Sequence, residues 1–415
     1  MHLLPDDVLR HLPRRSLAAS RCVCQSWRVI IDDRSLLATA ALLPCTLRGI
    51  FVQIGVPTLS GFFARPSPAG TRRPPIPGFL DLDYLDTNEI EKSLLTIVDH
   101  CNGLILLDHH VVNPATRQWT RLPPYPPESP GSDIILDGYH ALVFDPAMSP
   151  HYQVFLMPYV LRRATVSGQW PPSPLLLHVF SSRTEPEGST WRWEERSFVR
   201  EGNATMGTID EVCSSSGWEP FDTYSVYFRG SLYVHCQNNC VIRITIANHR
   251  YRIIKLPGDF VGNQNISGDG GGMETTTMDH EHEWVLKHDA DLGPVLAAGY
   301  TLNDGGQQWI WHNIDTKKKN KESLVKEEEF EWNDSDDENG SAGEDRQYKG
   351  YISQVFGFHP FKEIVFLYDT DTRVVAYHYN RSKVQDLGVL QVRERVSRSF
   401  SYTPCWMPDL PGMHN

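Results

Sequence analysis

Apolar residues recur every three to four positions through the first forty residues and at every second position from about Leu94 onward. That change of period predicts a helical N-terminal part followed by a chain built of strands. In the first part, Leu4-Pro5-Asp6-Asp7-Val8-Leu9 and Leu12-Pro13-Arg14-Arg15-Ser16-Leu17 combine early Pro and acidic residues with leucines at helical spacing. A compact helical hairpin is the expected result. Leu17, Ser20, Val23 or Cys24, Trp27 and Ile30 or Ile31 fall on one stripe of the second helix, and Arg14, Arg15, Arg21 and Arg28 lie away from it. A unit below about 40 residues rarely holds a self-sufficient core. The stripe is therefore expected to be covered by something outside the hairpin.

Asp33 can cap a third helix from Ser35 to Leu43, and a Pro-rich stretch from Pro57 to Pro77 reads as loop or linker. The clearest strand unit runs from Ser225 to Pro257. It holds Val226-Tyr227-Phe228, the turn Arg229-Gly230, Leu232 to His235, the alternating run Val241 to Ile246, the turn Ala247-Asn248-His249 and Tyr251 to Leu256. Four short strands joined by tight turns predict an antiparallel meander. Similar pieces occur at 102–123, at 142–195 and at 355–390. Repeats of about 40–50 residues with four strands each suggest a β-propeller, and roughly six blades fit the available length. The predicted fold class is mainly β, a helical N-terminal module followed by a propeller-like domain.

The spacing of Leu-Pro, Leu-Pro, Ser-Leu, Val-Cys and Trp resembles an F-box, which plugs substrate receptors into cullin–RING ubiquitin ligases through a Skp-type adaptor. The resemblance implies adaptor contacts at Leu4, Pro5, Leu9, Leu12, Pro13, Leu17, Val23, Cys24 and Trp27. Compared with the usual pattern, about four residues are missing between Leu9 and Arg10-His11-Leu12-Pro13. That is just over one turn, about 6 Å of rise, so the stripe keeps its phase to within roughly 40°. The later chain is similar to the kelch-like, F-box-associated domains of plant F-box proteins. It shares the words Cys101-Asn102-Gly103-Leu104-Ile105, Val112-Asn113-Pro114-Ala115-Thr116-Arg117, Glu283-Trp284-Val285-Leu286-Lys287-His288-Asp289 and Phe358-His359-Pro360. Where that family has more strand sequence, this chain carries Ser267-Gly268-Asp269-Gly270-Gly271-Gly272, so one blade is expected to be incomplete.

Together the resemblances imply a substrate-recognition subunit of a Skp–cullin–F-box ubiquitin ligase, non-catalytic and without cofactors, with an unknown protein substrate on the propeller. The alternative, favoured by the shortened first helix, is a propeller scaffold detached from a ligase. The expected layout is an F-box over 1–43, a linker with the first strands over 44–93, the propeller over 94–400 and a tail over 401–415.

Charge refines this picture. The net charge is −12, and residues 315–346 hold twelve acids against six bases, half of that total. A solvated acidic insertion over 315–347 is expected, with Ser335, followed by Asp336-Asp337-Glu338, as a candidate phosphosite. Lys317-Lys318-Lys319-Asn320-Lys321 is a weak import signal. The remaining chain is only mildly acidic, which argues against phosphate-driven nucleic-acid binding. No stretch approaches 18 apolar residues, so no membrane span is expected. Eight scattered cysteines read as reduced thiols of a nuclear or cytoplasmic protein.

No catalytic motif stands out. The run Gly268 to Gly272 lacks the following Gly-Lys-Ser/Thr of a phosphate loop and reads as a flexible loop. Asp279-His280-Glu281-His282-Glu283 reads as a solvated turn in preference to a metal site, and His235-Cys236 with Cys240 as strand packing in preference to zinc ligation. Trp170 and Trp218 are weak candidates for interface anchors.

Overall fold

A computed structural model of the chain describes residues 27, 47–55, 61–65, 85, 96–126, 134–146, 148–160, 168–183, 191–214, 224–236, 240–256, 272–278, 284–291, 308–313, 352–369, 372–390, 396–407, 410 and 412. Apart from Trp27, which is helical and half-buried, they belong to a mainly β domain. None of its helices is long and apolar enough to cross a membrane.

Strands β1 (Gly49–Ile54) and β2 (Gly61–Ala64) pair antiparallel and begin a sheet that only the far end of the chain completes. The next four strands form a meander in sequence order: β3 (Ile97–Cys101), β4 (Leu104–Leu107), β5 (His110–Asn113) and β6 (Gln118–Arg121). Then come β7 (Ile134–Val143), β8 (Gln153–Val160), β9 (Gln169–Trp170), β10 (Leu175–Ser181) and β11 (Glu194–Arg200). Of these, β7, β8, β10 and β11 make the second meander. The two-residue β9 pairs instead with β12 (Gly207–Thr208), which runs into the short helix α1 (Ile209–Ser214).

The third meander is β13 (Ser225–Phe228), β14 (Ser231–Cys236), β15 (Cys240–Thr245) and β16 (Arg250–Lys255), the unit read most clearly from the alternation of Ile242 and Ile244. Its first turn, Arg229-Gly230, has φ of +47° and +78°, which suits the right-handed twist of a two-residue hairpin. A hairpin follows, β17 (Gly272–Met278) with β18 (Trp284–Asp291). After β19 (Ile310–Asn313), the last meander comprises β20 (Ile352–Phe358), β21 (Ile364–Asp369), β22 (Arg373–His378) and β23 (Lys383–Val389). Finally β24 (Val396–Tyr402) pairs with β1, giving the order β19-β2-β1-β24.

The second and third meanders are joined along their outer strands. β11 and β16 run parallel over Val199↔Arg250 and Arg200↔Tyr251, so eight strands form one sheet from β13 to β7. Arg200 Nε donates to Tyr251 Oη at 3.0 Å and Tyr251 Oη to the Pro172 carbonyl at 2.7 Å, which pins the junction. Between the two halves lies a core that includes Phe155, Leu177, Val179, Phe198, Leu232, Ile244 and Tyr251. Each such fully buried side chain contributes about 1.5–3 kcal/mol.

The opposite edges of that sheet, β7 and β13, both reach Asp99 of β3. Further contacts set the edge strands of separate sheets side by side and pointing the same way. Arg398 Nη1 of β24 donates to the Val98 carbonyl (2.9 Å) and Tyr402 Oη to that of Gly103 (3.2 Å). Asn102 Nδ2, just after β3, donates to the Phe144 carbonyl, just after β7, at 2.7 Å, and Ser401 Oγ of β24 to Phe358 of β20 at 2.8 Å. A nearly closed sheet with edge strands gathered from separate sheets is consistent with a propeller-like domain.

Three findings depart from the sequence-based layout. The expected boundary after residue 400 falls inside β24, and the residues beyond it are core: Cys405 and Leu410 are buried. β2 falls inside the Pro57–Pro77 stretch read as loop or linker, and with β1 it pairs into the same sheet as β24. Gly272, the end of the supposed flexible glycine run, opens β17, since it stands opposite Asp291. Each depends on a pairing or packing partner outside the local stretch, which local period does not encode.

Candidate functional site

The convergence of the edge strands places one carboxylate at the centre of the fold. Asp99 sits on β3, which alternates buried and half-buried residues, and its side chain points inward among the neighbouring strands. Its Oδ2 accepts from the Leu142 backbone N–H of β7 at 2.7 Å and from Ser225 Oγ of β13 at 2.6 Å. Burial pushes this carboxyl up from its ordinary 3.8 to about 7, against the hydrogen bonds from Ser225, Leu142 and His100 and the charge of Arg398, which favour the ionised form. Tyr139 of β7 lies in the same environment, and its phenol is raised well above its usual value by burial first and by Asp99 next.

The flanking residues are locked by packing. The His100 ring stacks on Phe400, centroids 4.1 Å apart and planes 9° apart. Desolvation lowers this imidazole to about 4, so it is neutral at physiological pH. Cys101 Sγ donates to the Phe144 carbonyl at 3.2 Å, and burial raises its thiol far above the ordinary range. The centre therefore holds a proton-binding carboxyl with its acceptor oxygen engaged, a neutral histidine and an inert thiol. That set ties strands together; a reactive cysteine needs a lowered pKa and access.

The short motifs around Cys101–Gly103, Asn113 and His359 are fasteners of the same kind. Asn113 Nδ2 donates to the Cys405 carbonyl at 3.0 Å while its Oδ1 accepts from the Ala115 N–H at 3.2 Å. His359 Nδ1 accepts from the N–H groups of Phe361 and Lys362, both at 3.1 Å. Gly103, at φ +87°, has its Cα so close to the C-terminal segment that a Cβ would lie 2.4 Å from Cys405 N.

Of the residues singled out beforehand, Leu4, Pro5, Leu9, Leu12, Pro13, Leu17, Val23, Cys24 and Ser335 lie outside the described residues, as do the glycine run before Gly272, residues 279–283 and Trp218. Trp170 is a core residue, 4% exposed, with its carbonyl accepting the Met206 N–H at 3.0 Å, so it is no interface anchor. Cys236 and Cys240 stand opposite each other on β14 and β15 without forming a disulfide; burial pushes Cys236 up to about 12. Among the described residues no group of three His, Cys, Asp or Glu side chains is placed to hold a metal ion. Asp99 was not foreseen from sequence. The only available signal was an acidic residue at an inward position of the alternating strand Ile97-Val98-Asp99-His100-Cys101.

Comparison with known families places an F-box domain at residues 6–39. The match includes seven of the nine residues assigned to adaptor contact, Leu9 to Trp27, and begins just after Leu4 and Pro5. F-box domains bind Skp-type adaptors and, through them, cullins. No curated protein matches the chain.

Proposed function

We propose that this chain is a substrate receptor of a Skp–cullin–F-box ubiquitin ligase. The observation that carries the reading is the F-box match at 6–39, because it falls on the apolar spacing whose expected helical stripe a unit of this size would leave uncovered. Proteins with this module are typically non-catalytic receptors. The chain would act by proximity, holding a protein substrate beside a charged conjugating enzyme and contributing no bond-making group.

We read the β domain as a kelch-like propeller of six blades. Support comes from four meanders, the sheet β19-β2-β1-β24 that joins the first and last strands of the β domain, and the hairpin β17–β18 as part of a sixth unit. Rigid strands with connecting segments at their ends suit recognition of a partner by loops. Reduced cysteines at 101, 236, 240 and 405 suit a nuclear or cytoplasmic site of action.

Co-purification with a Skp-type adaptor tests the reading. Leu12→Asp with Trp27→Asp places two charges on the stripe and should reduce adaptor capture at least about thirtyfold, equivalent to about 2 kcal/mol. If the unaltered chain captures no adaptor, the second reading replaces the first: a binding scaffold detached from the ligase, favoured by the shortened first helix.

A further inference from the structure

The third meander buries one face of its strands against the second. Leu232, Val234, Ile242, Ile244 and Tyr251 point into that shared core, so the residues alternating with them point away from it. The registers set these outward residues in cross-strand rows. One row is Val226, Tyr233, Arg243 and Arg252, and the next runs from Phe228 through Ser231 and Thr245 to Arg250.

The two halves of this outward face differ in character. On β13 and β14 it is apolar and aromatic: Val226 is 62% and Phe228 55% exposed, and Tyr233 is half-buried. On β15 and β16 it is cationic. Arg243 and Arg252 stand directly opposite each other, and like charges in such a pair repel. Among the described residues only Glu201 brings a carboxylate to these arginines, 3.8 Å from Arg250 at the margin. Arg243 Nε donates to Ser231 Oγ at 3.3 Å and its guanidinium lies 5.9 Å from the Tyr233 ring centre. The Arg229 guanidinium lies 5.0 Å from that of Phe228. Neither a hydroxyl nor a ring neutralises the charge.

Neighbouring strands lie about 4.8 Å apart, so the arginine strands are about 10–14 Å from β13. An extended chain rises about 3.3 Å per residue and crosses that distance in three or four residues. The face is therefore complementary to a segment whose carboxylates follow an apolar side chain by three or four positions. A guanidinium binds a carboxylate through two parallel hydrogen bonds, and the incoming charge relieves the repulsion between Arg243 and Arg252. Nucleic acid fits less well. Its binders neutralise many phosphates, whereas this face offers four arginines in a chain of net charge −12.

We propose that the outward face of β13 to β16 docks an acidic segment of a partner protein, with carboxylates on Arg243 and Arg252 and an apolar side chain on Val226 and Phe228. That this partner is a substrate rests on the receptor reading above; the face does not.

Fluorescence anisotropy of a labelled heptapeptide, Phe-Ser-Gly-Ser-Glu-Ser-Glu, titrated with the full chain tests the face. Binding should saturate and should weaken at least about threefold between about 50 and 200 mM salt. Arg243→Gln with Arg252→Gln should weaken it at least about tenfold, and Phe228→Ser at least about threefold. Arg243→Glu with Arg252→Glu should transfer the preference to the peptide with lysine in place of both glutamates. Arg252→Gln alone should leave the thermal midpoint unchanged or raise it, because it removes a repulsion. A lowered midpoint with unchanged peptide binding would give Arg252 a packing role and overturn the proposal. Absence of saturable binding overturns it, as does equal affinity for the peptide with glutamine in place of both glutamates. Tighter binding of a single-stranded oligouridylate would make this a nucleic-acid face instead. Binding seen only after deletion of residues 315–346 would make the chain's own acidic run the occupant, which also overturns it. Adaptor capture is read on the same preparations: its loss with peptide binding intact sinks the receptor reading and leaves the face standing.

Discussion

Asp99 makes the junction of the edge strands sensitive to pH. Its carboxyl lies at about 7 in the folded chain and at 3.8 ordinarily, so between those values the folded state binds the extra proton. The stabilisation linked to that proton is fully present below about pH 4 and is lost as pH rises through 7. One pKa unit corresponds to about 1.4 kcal/mol, so the group alone contributes a fall of up to roughly 4 kcal/mol. Urea midpoints at pH 5 and pH 8 should therefore differ more for the unaltered chain than for Asp99→Asn; the same difference in both would dismiss the role. Gly103→Ala should destabilise by about 1–3 kcal/mol, because φ is +87° and the new methyl meets Cys405 N. A thermal midpoint unchanged within a degree would refute this. At this scale Asn113 and His359 were legible as recurring words, but their work was not, since it depends on partners such as Cys405 that lie 292 residues away.

Four meanders were readable as elements because alternation and turn residues act within a few positions. Ile242 and Ile244 alternate with half-buried neighbours, and Asn102-Gly103 and Arg229-Gly230 supply the positive φ that tight hairpins need. The exceptions have physical causes. β9 and β12 are two residues each, shorter than one period of the pattern, and exist because Gly207 meets Trp170. The helix α1 has six residues, too few for a helical stripe. The strand β24 looked like the margin of a tail because Val396-Ser397-Arg398-Ser399-Phe400-Ser401-Tyr402 is half polar. Its serines and arginine are nevertheless used: Ser397, Arg398 and Ser401 each donate to a carbonyl of another strand. Removing residues 396–415 should therefore abolish cooperative unfolding, read by calorimetry, whereas a truly dispensable tail would leave the transition intact.

For the molecule as a whole, the ends of the described chain meet. Phe51, Phe62, Phe400 and Tyr402 pack together, with Phe51 4.7 Å from Phe62 and 4.9 Å from Tyr402 by ring centroids. A charge at the middle of this cluster, as in Phe51→Asp, should cost more than 4 kcal/mol and leave the chain insoluble or protease-sensitive; a soluble, resistant product would argue against closure through these strands. The period of the strands and the turn chemistry were written in the amino-acid order, since each is enforced by neighbours within four or five positions. Tertiary structure alone decided which edges meet, that Asp99 is buried where β3, β7, β13 and β24 gather, and that both ends of the β domain share one sheet. Those outcomes follow from burying apolar faces and satisfying polar groups across hundreds of residues, and no local repeat carries that information.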